Sequence, residues 1–323
     1  MDDFRRKKIS YLLRLILTII VIAIILLKVH WADLFSILAK INLWYVAPFY
    51  LLSFVMIWVS CLKWQILLKV RKIQVAMPRL LSLYLIGYFF NYFTPGSHGG
   101  DLARSYILGR EIKTISESAS SVFMERFTGL TALVVFTFFA SFVNIDLLRN
   151  TTVLVPVLVT VIGYLVLLFL LFSEKIRTLS LALYNRFHLV KLIRKINECH
   201  LIVLSFKGYK RVVANSLSLS FVFHLLTILN VIIACLCFDI QIDFLQLALF
   251  VPIIQLACMV PISINGFGIQ EGVYIYLFSL VGIPMHEALA VSLILRFKNI
   301  SLSLIGGILF SVDKNKFSRK VAA

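Results

Sequence analysis

The chain has 323 residues, 61% of them hydrophobic, and a formal net charge of +17. Soluble domains are about 45–50% apolar, so this composition, with a mean hydropathy of +0.97, excludes an ordinary soluble domain and leaves an integral membrane protein. The positive charge does not point to nucleic acid, because Lys and Arg sit in short stretches beside apolar runs rather than in a long basic tail.

In chain order, Arg5-Arg6-Lys7-Lys8 precedes a long apolar run with no small-residue cleavage site. It reads as a retained first span, Tyr11 to Val29, and not as a signal peptide. Trp31 to Lys40 has the pattern of a short interfacial helix. Asn42 to Leu68 is the second span, anchored by Trp44, Tyr45, Trp58 and Trp64. Leu80 to Gly109 is apolar but interrupted by the polar, glycine-rich stretch from Phe90 to Arg104. Each arm beside that break is under about 14 residues, roughly 20 Å of helix, which is too short to cross. Ser118 to Val143 and Thr152 to Phe172 are the third and fourth spans, followed by a basic amphipathic segment, 173–211. Val212 to Phe238 is the fifth span, Phe244 to Val281 holds a second break at Met259 to Glu271, and Glu287 to Phe310 is the sixth.

Basic residues mark the cytoplasmic side. With Arg5 to Lys8 inside, the loop Lys69 to Arg79, then Arg104, Arg110 and Lys113, and then the nine cations from Lys175 to Arg211 all fall inside only if the first broken segment enters and leaves by the same face. The expected fold is therefore an all-α integral membrane protein with about six spanning helices and two re-entrant hairpins. It forms one polytopic domain in the cytoplasmic (inner) membrane, with both termini cytoplasmic.

The offset of 170 residues that carries Asp101 onto Glu271 also carries Glu117 onto Glu287, Arg126 onto Arg296 and Phe127 onto Phe297. The halves, 11–146 and 151–312, read as an inverted repeat. Paired broken segments at corresponding places are the best sequence pointer to a transporter site.

An arginine inside hydrocarbon costs about 2.5–3.5 kcal/mol on insertion scales and normally faces the bundle interior with a partner. Arg126 and Arg296 are such residues, with Asp101, Glu125 and Glu271 as candidate partners. They can bind a lipid phosphate, helped by Arg104, Asn265 and the free N–H groups at Gly99-Gly100 and Gly266-Phe267-Gly268, or they can form purely structural salt bridges. The glycines, Gly96 included, can equally serve tight turns. His98 is the titratable group of the first break near neutral pH, either coupling transport to protons or only hydrogen-bonding in the loop. Lys63, Lys69 and Arg71 read as topology determinants and lipid-surface contacts. A Ser/His/Asp set can be assembled from Ser97, His98 and Asp101, but nothing in its spacing distinguishes it from a polar turn, and no catalytic residue is assigned. The five scattered cysteines offer no CxxC or Cys/His spacing, so no disulfide, metal or cofactor is expected.

At these motifs the chain resembles the transmembrane (flippase-like) family of lysylphosphatidylglycerol synthases. The resemblance rests on Pro95-Gly96-Ser97-His98-Gly99-Gly100-Asp101-Leu102-Ala103-Arg104, on Glu125-Arg126, and on Pro261 with Asn265-Gly266-Phe267-Gly268-Ile269-Gln270-Glu271. It implies a membrane module that moves lipid headgroups between leaflets. The bifunctional synthases add a cytoplasmic aminoacyltransferase domain, and the end of this sequence at Ala323 leads to the expectation of a stand-alone module. The leading expectation is a translocase for an anionic, aminoacylated or polyprenyl-phosphate lipid. Its partner is then a membrane lipid with an anionic headgroup, with no nucleic acid, and no oligomeric state is assigned. The alternatives are a membrane transferase of the aminoacyl- or glycosyl-lipid type, or the membrane subunit of a separate lipid-modifying enzyme.

Overall fold

In the computed structural model, the structure describes residues 15–16, 18–21, 23–93, 99–172, 190–260 and 263–321. Among them, all regular structure is helical. α1 (Thr18–Lys28) meets α2 (Trp31–Ala39) at 87°. α3 (Leu43–Val70) follows. Next come the short pair α4 (Met77–Phe93) and α5 (Gly99–Glu111), then α6 (Ile115–Val143), the single turn α7 (Ile145–Leu148) and α8 (Thr151–Phe172). The second half holds α9 (Val190–Ser205), α10 (Lys210–Leu236), α11 (Phe244–Met259), α12 (Ile269–Ser279) and α13 (Met285–Val321).

Five of these helices are long and apolar enough to cross a bilayer, six if α1 and α2 count as one bent span. The chain is an all-α, multi-pass membrane protein. Its outer surface agrees: Val155, Val159, Ile162, Leu165 and Phe169 on α8 are all exposed, an apolar face that water would not tolerate and acyl chains would. Only 17% of the apolar window of α8 is buried, against 61% for α13, so α8 is peripheral and α13 central.

The main core joins the two halves. Phe49 on α3 packs with Ile228 on α10, Phe250 on α11, Phe278 on α12 and Val291 on α13. A second cluster, built on Trp64, Leu80, Leu83, Leu108 and Leu302, holds α4 and α5 against α3 and α13. At the far end of α4, Arg79 donates to the carboxylates of Glu111 and Asp313, tying the ends of α4, α5 and α13 together.

Glycines set how closely the helices approach. A Cβ on Gly306 would lie 1.9 Å from the Leu85 carbonyl oxygen, so α13 and α4 touch backbone to backbone there. Gly306→Ala is expected to lower stability by about 1–3 kcal/mol through overpacking. Gly163→Ala on α8, with nothing within 4 Å of a new Cβ, is the control. Thermal unfolding of both variants in detergent checks the pair, and equal melting would remove the close contact as a source of stability.

The second break is a left-handed turn. Asn265 has φ +47, Gly266 φ +69 and Gly268 φ +80, a run that L side chains adopt only at a cost. The first break, 94–98, lies outside the described residues, as do Lys175, Arg177 and Arg186 of the basic segment. The end of α4 meets the second break: the Tyr92 ring, one residue before the end of α4, meets the Phe267 ring edge-on at 6.2 Å.

Candidate functional site

The site is built on the acid in the first turn of each post-break helix. Such an acid sits at the positive end of the helix, where it is stabilised by the free N–H groups. Asp101 holds this position on α5, and its helix start is capped from outside: Gly100 N–H donates to Asn91 Oδ1 at 2.8 Å. Glu271 holds the same position on α12 and caps its own helix, accepting from Gly268 N–H at 2.7 Å.

Each acid pairs with the arginine 25 residues downstream. Arg126 donates twice to Asp101, from Nε at 2.7 Å and Nη2 at 2.8 Å. Arg296 donates from Nε to Glu271 at 2.5 Å. Beyond that shared spacing the two arginines are not equivalent. Arg296 is buried, with Nη1 and Nη2 donating to the carbonyls of Asn265 and Gly266 at 3.4 and 3.1 Å and its guanidinium 3.9 Å from the Phe267 ring. Its donors go to the backbone of its own break. Arg126 leaves 54% of its side chain accessible.

Around Arg126 the charges form a network. Arg104, one turn beyond Asp101, is 1% exposed. It donates to Asp101 Oδ1 at 2.9 and 3.1 Å and to Glu125 Oε2 at 2.8 Å, and lies over the rings of Trp64 and Tyr84 at 4.6 and 4.3 Å. Tyr84 O–H also donates to Glu125. Lys63 enters from α3, with Nζ 4.0 Å from Glu125 Oε1 and donating to Ser220 Oγ at 3.3 Å. Hydrogen bonds between Trp64 Nε1 and Ser121 Oγ (2.9 Å) and between Thr128 and Ser216 (2.9 Å) fix α3 and α10 against α6.

The charged groups of this network line a cavity of about 320 Å³. Asp101, Arg104, Glu125 and Arg126 stand on its wall with Lys63, while His224 of α10, Gln255 of α11 and Met259, at the edge of the second break, close it from the other half. His224 Nε2 lies 3.1 Å from the Gly129 carbonyl oxygen.

The sequence-derived site residues therefore fall into two groups. Asp101, Arg104, Glu125, Arg126 and Gly100 surround the cavity, with Gly99 buried beside them. Glu271, Arg296, Asn265, Gly266 and Gly268 form the closed second cluster. His98 lies outside the described residues. One expectation needs correction. Lys63 is no surface topology marker: at 6% exposure it sits under α6 and α10. Arg104, expected among the site residues, is a fully buried centre of the network, on α5 where it folds back onto α4. Tyr84, His224 and Gln255 were not anticipated. Tyr84 of α4 meets Trp64 of α3 ring edge to face at 5.8 Å, next to Lys63, a contact between two helices that no local pattern announces.

A family model described as the lysylphosphatidylglycerol synthase TM region matches residues 11–307. The chain belongs to this family. Among its relatives are two UPF0104 membrane proteins of Methanothermobacter thermautotrophicus. One is 24% identical over 87% of this chain and 89% of the relative, and the other 23% identical over 94% and 93%. A UPF0104 membrane protein of Pyrococcus horikoshii is 25% identical over 93% of this chain and 97% of its own length. No solved structure matches. The match to the synthase membrane region spans both breaks and both acid–arginine pairs, so the whole constellation lies inside the family module.

Proposed function

We propose that this member of the family is a lipid translocase that passes a phosphate-bearing lipid headgroup through the cavity beside Arg126 while the acyl chains remain in the bilayer. The observation that carries the reading is a charged cavity walled by the apolar spanning helices α3, α6 and α10, with Gly100 at the start of α5 and Met259 at the end of α11 beside it. An intramembrane group of ionisable residues marks a substrate path by default, and breaks meeting at the centre of paired halves suit alternating access. In this reading α4–α5 and α11–α12 are re-entrant hairpins. Their arms of 17, 13, 16 and 11 residues give roughly 16–26 Å of helix, short of about 30 Å of hydrocarbon. The halves are inverted repeats, and the chain lies in the cytoplasmic membrane with basic ends inside. A transferase is less well served: the carboxylates of Asp101 and Glu125 already accept from Arg104, which leaves neither as an open general base.

The test is lipid flip in liposomes reconstituted with the whole chain, across a headgroup panel. Rates equal to empty liposomes would sink the proposal. The two arginines should separate. Arg126→Ala is expected to lose transport at least about tenfold with near-parental folding, because a largely accessible charge contributes little stability. Arg296→Ala removes the cation paired with buried Glu271 and is expected to lose about 3–5 kcal/mol of stability. Equal loss of folded yield in both variants would contradict the division of labour between them.

A further inference from the structure

Resting on the translocase reading, we infer that the lipid is a net-anionic phosphate lipid without an amino group on its headgroup, and that Lys63 sets this preference. The argument is charge balance. Among the described residues, the cavity wall carries three cations, Lys63, Arg104 and Arg126, against two carboxylates, Asp101 and Glu125. The carboxylates are spoken for. Asp101 accepts from Arg104 and doubly from Arg126, and Glu125 accepts from Arg104 and Tyr84. Lys63 is the cation in excess. Its nearest carboxylate oxygen is 4.0 Å away, and its hydrogen bond is a long one to Ser220 at 3.3 Å, while an ammonium has three donors to place.

A single phosphodiester anion closes this balance, with Lys63 and the accessible Arg126 both on the cavity wall. An aminoacyl headgroup brings extra ammonium groups into the same space, where each acid is already paired and an uncompensated cation faces them. At separations of a few ångströms in a partly buried site, one unit of headgroup charge changes affinity by about tenfold or more. The family's synthase name refers to a lysylated lipid; this cavity favours the unmodified anionic one.

Three lipids sharing one phosphodiester test the point in liposomes carrying the whole chain: phosphatidylglycerol, phosphatidylethanolamine and lysyl-phosphatidylglycerol. The expected order of flip rates follows that sequence, with phosphatidylglycerol at least about tenfold above the lysylated lipid. Lys63→Gln should flatten the order, Lys63→Arg should keep it and Lys63→Glu should reverse it. Lysyl-phosphatidylglycerol moving as fast as phosphatidylglycerol would overturn the inference and leave the translocase reading intact; movement of none of the three would overturn both. Release of trapped, water-soluble glycerol phosphate at the rate of phosphatidylglycerol would overturn the lipid assignment. The parental order stands as a test even if Lys63→Glu fails to fold, and an unchanged order in Lys63→Gln would remove Lys63 from the account.

Discussion

Asp101→Ala is expected to destabilise the protein by about 3–5 kcal/mol and to abolish lipid movement with it. The carboxylate is the joint acceptor of two guanidiniums, Arg104 and Arg126. Removing it leaves Arg104, which is 1% exposed, with Glu125 and two aromatic faces for company, and breaking a buried pair on one side costs that order of energy. Arg126 then loses both bonds that hold its fork toward the cavity. Arg126→Ala, by contrast, leaves Asp101 paired with Arg104. The double variant Asp101→Ala/Arg126→Ala should therefore be no worse in stability than Asp101→Ala by more than about 0.5 kcal/mol, since the second change acts through the first. Unfolding in detergent and flip in liposomes measure the two effects. An Asp101→Ala protein that melts with the parent would show that the network is not what holds α5 to α6.

Gly100→Ala should damage the site without touching a charged residue. A methyl group there would stand 2.1 Å from the Gly87 carbonyl oxygen and 2.8 Å from Asn91 Oδ1. The first contact forces α4 and α5 apart, and the second crowds the side chain that caps the Gly100 N–H. Overpacking of about 1–3 kcal/mol and a lost hydrogen bond of about 1 kcal/mol combine, and Asp101, the next residue, moves with them. The expected result is a protein that still inserts, exchanges amide hydrogens faster along α5, and transports poorly. Gly272→Ala, one turn into α12 with nothing near its new Cβ, should do none of this. Parental exchange along α5 in Gly100→Ala would assign that glycine to turn-making alone.

Much of the fold was legible because apolar run length reports bilayer thickness. The expected third span began at Ser118 and the helix begins at Ile115; the fourth was expected from Thr152 and starts at Thr151. The last span was expected to end at Phe310, yet α13 continues to Val321. Hydropathy marks where the bilayer ends, not where the helix does, and the basic tail continues as helix. The acid–arginine pairs were legible from one repeated offset, and both form. The unequal use of the two arginines was not, because it depends on where the carbonyls of a left-handed turn point. Lys63 was misread because counting cations along the chain assigns them to faces of the membrane and says nothing about the helices that pack over them. His224 and Gln255 come from the opposite half, and no local pattern marks a residue whose importance is set by what packs across from it.

The closed second cluster also bears on populations. If the two halves exchange roles during transport, the conformer that opens the second break must first release Arg296 from Glu271 and from the carbonyls of Asn265 and Gly266. At about 3 kcal/mol or more for that release, the conformer is occupied below about 1% of the time at rest. A lipid raises that share only through contacts that are better in the rare conformer. The protein is then a device with a preferred resting side, and the leaflet it waits on is decided by which half has left its arginine unspent.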